Sequence, residues 1–136
     1  MAQTILLFRI NRDKYAVIQN VCRTLGIRII DVARKDYSQK LGTLAQIQGF
    51  TREAKKYDGP EFPAEMLIFS EMNSDQVDVF LAEYKKAGVE PIALKAVITG
   101  NNIFWTAERI VAGTFIYEQY LQKQYVICTK ILRYFC

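Results

Sequence analysis

Ile5-Leu6-Leu7-Phe8 and Met66-Leu67-Ile68-Phe69 are uninterrupted apolar tetrads, and the residues downstream of each decide the fold. A continuous apolar run of this length suits a strand covered on both faces. After the first tetrad come Asn11-Arg12-Asp13 and then Tyr15, Val17, Ile18, Val21, Cys22 and Leu25 at spacings of three and four, the stripe of an amphipathic helix. Asn11 or Asp13 is placed to cap it, Gly26 to end it, and the β-branched run Ile27 to Val32 reads as the next strand. After the second tetrad, Asn73-Ser74-Asp75-Gln76 carries a cap signal, Val77, Phe80, Leu81 and Tyr84 form a helical stripe, and Gly88 closes it. A fourth strand is expected over Ile92 to Thr99. Each half is therefore a β-α-β unit.

Aligning Gly26 with Gly88 gives an offset of 62 and Phe8 with Phe69 gives 61, which reads as an internal repeat with one residue inserted in the first loop. The expected class is α/β: a four-stranded, mainly parallel sheet in order 2-1-3-4 with helices on both faces. A ferredoxin-like α+β sandwich in order 4-1-3-2 is the alternative. Residues 1–121 are expected to form one domain. Within it, Leu41, Leu44, Ala45 and Ile47 suggest a short helix between the units, and the Gly- and Pro-punctuated segment from Gly49 to Pro63 reads as a mobile loop and candidate lid. Thr106 is placed to cap a final helix carrying Ile110, Val111, Thr114, Phe115, Tyr117, Tyr120 and Leu121. Residues 122–136 form a tail that reads as an added strand, a helix extension or a disordered end; its last part, Tyr125 to Cys136, contains no acidic residue.

The composition is that of an ordinary globular chain: 136 residues, 51% hydrophobic, 24% charged, net charge +4. It has no histidine, which removes His-based triads and most zinc, haem and non-haem iron ligand sets. No metal and no cofactor is expected. Cys22, Cys128 and Cys136 are odd in number and widely spaced, with no C-x-x-C pair, so they suggest a reducing, cytoplasmic setting. The N-terminal apolar run is too short for a signal peptide, and no membrane span is expected. Charge is polarised along the chain: residues 1–60 hold 11 basic and 5 acidic side chains, and residues 61–90 hold 2 and 7. Solvated helix faces account for that pattern, with an anionic partner as the competing reading.

Candidate site residues are few. Lys95 interrupts the apolar series Ile92 to Ile98 and could anchor an anion, or it could guard a sheet edge against aggregation. A parallel sheet would place a crevice beyond its strand ends, lined by Arg9 to Asp13, Asp31 to Lys35, Asn73 to Asp75 and Thr99 to Asn102, with Asn11 and Ser74 at two helix N-termini. No glycine-rich phosphate loop supports that crevice as a nucleotide site. Cys22 lies in an apolar stripe and reads as core.

The string Leu94-Lys95-Ala96-Val97-Ile98-Thr99, then Asn101 or Asn102, then Trp105-Thr106 resembles a family of small bacterial proteins known only as a domain of unknown function. The likeness extends over residues 1–110, through pieces such as Leu25-Gly26-Ile27-Arg28 and Asp36 to Gly42. It implies no activity, but it nominates Lys95, Thr99, Asn102 and Trp105 as a site. Together these observations favour a binding or interaction module without evident catalytic residues, self-associating as a homodimer through the final helix and tail. The alternatives are a regulator or enzyme binding a small anionic metabolite or nucleotide through Lys95, and nucleic-acid binding through the basic N-terminal half, which is disfavoured.

Overall fold

The computed structural model describes residues 2–112. The later part of the expected final helix, the tail and its cysteines, and the expected self-association surface lie outside the described residues.

The chain runs β1 (Thr4–Phe8), α1 (Arg12–Leu25), β2 (Arg28–Asp31), a 3-10 turn (Arg34–Asp36), α2 (Leu41–Leu44), β3 (Met66–Ser70), α3 (Ser74–Lys86) and β4 (Leu94–Val97). The four strands form one sheet in order β2-β1-β3-β4. Every residue of β1 and β3 is buried, as their apolar tetrads require of central strands. The edge strands β2 and β4 are only partly covered.

The sheet is mixed. β1 pairs with β2 and β3 with β4 in parallel, but the central pair β1·β3 is antiparallel, with Thr4 opposite Ser70 and Phe8 opposite Met66. The expectation of a mainly parallel sheet thus fails at its middle, and the ferredoxin-like strand order is not adopted. Handedness explains the consequence. The two crossovers leave the centre in opposite directions, so in an all-parallel sheet right-handed connections would send α1 and α3 to opposite faces. With β3 reversed, the same rule puts both helices on one face. There Ile18 and Cys22 of α1 and Val77, Phe80 and Tyr84 of α3 pack on Ile5, Leu7, Leu67 and Phe69.

Leu6, Phe8, Met66, Ile68, Leu94 and Ala96 point to the other face. It is covered by Val32, Tyr37, Leu41, Leu44 and Phe62 from the link between the units, and by Ala107, Ile110 and Val111 from helical residues 107–112. Thr106 Oγ accepts the Arg109 N–H at 3.1 Å and starts that helix. Because β2 ends where β3 begins, the link has no need to cross the sheet. It lies folded against the second face. Gln39, 2% exposed, holds it there, donating to the Glu53 carbonyl at 2.8 Å and accepting the Glu53 N–H at 2.9 Å. Tyr37 stacks on Phe62 at 4.0 Å between ring centres. The candidate lid is therefore packed on this face, and its Gly49, Phe50 and Arg52 border a cleft at the end of β2.

The two units share one offset at their strands, helix starts and closing glycines, although α3 is a residue shorter than α1. Thr4–Phe8 and Met66–Ser70, the helix starts Arg12 and Ser74, and the helix-ending Gly26 and Gly88 are all 62 apart. Phe8 therefore matches Ser70, not Phe69, and the first loop carries no insertion. Both strand-to-helix turns use a non-glycine residue at positive φ, Arg9 at 63° and Glu71 at 60°, with a capping asparagine two residues later. Correspondence ends after the glycines. β2 begins two residues past Gly26, whereas β4 begins six residues past Gly88, so the second unit has four extra residues before its last strand.

Candidate functional site

The extra residues shape a cleft. Val89, Pro91 and Ile92 separate α3 from β4, and with Leu67, Leu81 and the Tyr84 ring they line a volume of about 420 Å³. Alternation along β4 sends Leu94 and Ala96 to the second face and Lys95 to the α3 side, where it lines this cleft with Lys85. The Lys95 ammonium donates to the Ile92 carbonyl at 2.6 Å, which holds the charge against the cleft wall. Tyr84 donates its hydroxyl proton to the Glu90 carbonyl at 2.7 Å. Burial, reinforced by the carboxylates of Glu65 and Glu90, pushes that phenol up to about 12, so at neutral pH it is a neutral donor and not a base. Among the described residues no carboxylate lines the cleft. Its walls are alkyl and its charges are two lysines, an arrangement suited to holding an apolar group beside a negative one.

The other nominated residues lie elsewhere. Thr99, Asn102 and Trp105 come together, but as the framework of a turn. Asn102 is 0% exposed. Its Oδ1 accepts the Thr99 N–H at 2.8 Å, its Nδ2 donates to the Val97 carbonyl at 2.9 Å, and its own carbonyl accepts the Trp105 N–H at 2.9 Å. The Trp105 carbonyl accepts the Leu41 N–H at 2.8 Å, docking the turn onto α2, and the Arg109 guanidinium sits 4.0 Å over the indole. Every polar atom of the Asn102 side chain is thus spent on backbone.

Asn11 and Ser74 are not brought together. The antiparallel centre puts the ends of β1 and β2 at one end of the sheet and the ends of β3 and β4 at the other, so the crevice expected of a parallel sheet does not form. Asn11 caps α1, its Oδ1 accepting the Lys14 N–H at 3.0 Å and its N–H donating to Glu65 Oε2 at 2.9 Å. Glu65 also pairs with the Lys14 ammonium, both side chains being nearly buried. Ser74 is the exposed first residue of α3 at the far end, beside the cap Asn73.

Cys22 is a core residue, 1% exposed, its thiol pushed up to about 12 by burial. A second cleft of about 460 Å³ lies beside β2, where Asp36 pairs with Arg52 at 2.6 Å over Ile30, Leu44, Ile47 and Phe50. Among the described residues no group of three or more Cys, Asp or Glu could hold a metal ion, and no helix is long and apolar enough to cross a membrane.

Lys95 was legible because a single cation in an apolar strand is conspicuous. The cleft walls leave a weaker signal in the sequence, the longer spacing from Gly88 to the next β-branched run. No curated protein and no solved structure matches this chain. Residues 65–112, which hold β3, α3, the cleft, β4 and the Asn102 turn but none of the first unit, match the family model described as Domain of unknown function (DUF3783).

Proposed function

We propose that this chain is a cytoplasmic, non-catalytic binding module, built from an internally repeated β-α-β unit, whose ligand site is the cleft between α3 and β4. One observation carries the reading: β4 begins six residues past Gly88 where β2 begins two past Gly26, and the added residues line this cleft, whose wall Lys95 reaches. The cleft offers alkyl walls, two lysines and a Tyr84 phenol held neutral by burial, which suits retention of a ligand better than its transformation. The test is a fragment screen by NMR on the full chain. Apolar fragments are expected to shift Leu67, Leu81 and Ile92, and Val89→Trp, which fills the cleft, should remove those shifts while leaving the melting temperature unchanged. Shifts confined to the cleft beside β2, or unaltered by Val89→Trp, would contradict the assignment.

Self-association is a second reading. Phe104 is 62% exposed and tilts against Phe50 at 5.3 Å, leaving aromatic surface where the chain passes into its apolar C-terminal stretch. Light scattering on the full chain and on a chain ending at Lys123 tests it; identical monomers would remove it. Nucleic-acid binding draws less support, because Lys14, Arg28, Arg34 and Arg52 of the basic half are engaged by Glu65, Gln46, the Gly59 carbonyl and Asp36.

A further inference from the structure

Resting on the self-association reading above, we infer that two copies of this chain join edge to edge through β2, antiparallel, with Ile30 of one copy opposite Ile30 of the other across a two-fold axis normal to the sheet. Among the described residues β2 is an end strand with β1 as its one neighbour. Arg28 and Val32 donate to the Gln3 and Leu7 carbonyls at 2.8 and 2.9 Å, so positions 28, 30 and 32 turn their backbone groups to β1, and the alternate residues Ile29 and Asp31 turn theirs outward. Each offers one N–H and one C=O. Setting Ile30 opposite Ile30 puts Ile29 opposite Asp31 on both sides of the axis, so the outward groups of one copy meet those of the other as matched donors and acceptors. A normal axis also keeps every side chain on its own face, as opposed residues in a sheet require.

Charge sets the direction. β2 carries a cation at its start, Arg28, and an anion at its end, Asp31, both exposed. The Arg28 guanidinium holds neutral oxygens, those of the Thr4 hydroxyl, the Gln46 amide and the Ala45 carbonyl, and Asp31 makes no ion pair among the described residues. Antiparallel pairing brings the cationic end of one strand to the anionic end of the other, whereas parallel pairing would set like charges side by side. Edge strands that stay single are blunted by proline, inward lysine or a bulge; β2 has none of these, and its two isoleucines are half-buried. On the second face Ile30 lines the cleft of about 460 Å³ with Leu44, Ile47 and Phe50, and Phe50 leads on to the exposed Phe104. The second copy's Ile30 therefore meets apolar walls.

Light scattering on the full chain should give twice the monomer mass. Asp31→Pro removes an outward N–H that β1 does not use, and should return the mass to that of a monomer with the far-UV circular dichroism retained. Cross-linking in a Cys128→Ser, Cys136→Ser chain reads the register, and it decides the matter if the proline variant fails to fold. Ile30→Cys, with facing Cα atoms about 4.5 Å apart in a non-hydrogen-bonded pair, should give a covalent dimer under mild oxidation, whereas Ile29→Cys, opposite Asp31, should not. A wild type that is monomeric at every concentration overturns this inference and the self-association reading together. A dimer that survives Asp31→Pro and cross-links with neither cysteine substitution overturns this inference alone and leaves association through the Phe104 surface. Cross-linking with Ile29→Cys alone overturns the register. Ile29 and Asp31 amides that resist hydrogen exchange in a monomer would place a segment of the same chain on this edge, and would overturn the choice of a second copy.

Discussion

Leu6 lies directly opposite Ile68 in the antiparallel centre of the sheet, and the same two residues are 62 positions apart, the offset that relates the two units. The pair is therefore its own image, and a local two-fold axis normal to the sheet passes between the two residues. That axis carries β1 onto β3 and α1 onto α3 without changing face. It also separates the ends of the two units, so the candidate site must belong to one unit. The lengthened second unit supplies it.

The units are tied together by Glu65, which caps α1 through the Asn11 N–H and pairs with Lys14. Glu65→Ala strands a nearly buried ammonium and an unmet helix N–H, and should lower stability by about 3 kcal/mol in urea unfolding. Lys14→Met combined with Glu65→Leu should lose less than the two single changes added together. Strict additivity would mean that the pair contributes no coupling.

Asn102 predicts a dissociation between folding and binding. With its amide consumed by Thr99 and Val97, Asn102→Ala should cost about 2–3 kcal/mol and leave the affinity of the folded fraction for cleft ligands within twofold. A stable variant with lost affinity would make Asn102 a ligand contact.

The repeated turns predict matched effects. Gly26 and Gly88 sit at φ 72° and 73° with open space where a Cβ would lie, so alanine at either should cost about 1 kcal/mol through backbone strain alone. Arg9→Gly and Glu71→Gly relieve the same strain and should be neutral or stabilising by up to about 1 kcal/mol. Unequal costs at the paired positions would show that the two turns differ in ways their dihedral angles do not.

Alkaline pH should weaken the fold. Burial raises the Cys22 thiol from 9.0 to about 12; burial and then the Glu65 and Glu90 carboxylates raise the Tyr84 phenol from 10.0 to about 12. The native chain holds both protons more tightly than the unfolded chain, so their stabilisation is complete below pH 9.0 and is lost as pH rises through 12. The urea midpoint should fall from pH 9.0 upward, with a shallower fall in Cys22→Ala and Tyr84→Phe. Peptide mapping after alkylation should find Cys22 protected in the native protein.

The sequence carried the elements, their order and the strand order, because caps, stripes and apolar runs are local signals. Direction at the centre was not legible. Ile5 to Phe8 and Met66 to Phe69 are apolar on both sides, so neither tetrad records which way its neighbour runs. The reversal is visible only in α1 and α3 sharing a face, and amphipathic stripes do not name the face they cover. Setting Phe8 against Phe69 matched chemistry, whereas the turn residues Arg9 and Glu71 give the true alignment. At the site, Lys95 stood out as a charge out of place. Thr99 and Asn102 looked alike as candidates, and the structure places both in a turn that their side chains help to hold; a polar side chain that completes a turn reads the same in sequence as one that holds a ligand.

The antiparallel centre underlies the shared helix face, the divided ends and the single-unit cleft. Cross-strand NOEs in a labelled sample test it directly. Such a centre predicts contacts joining Thr4 to Ser70 and Phe8 to Met66; contacts joining Thr4 to Met66 and Phe8 to Ser70 instead would contradict it.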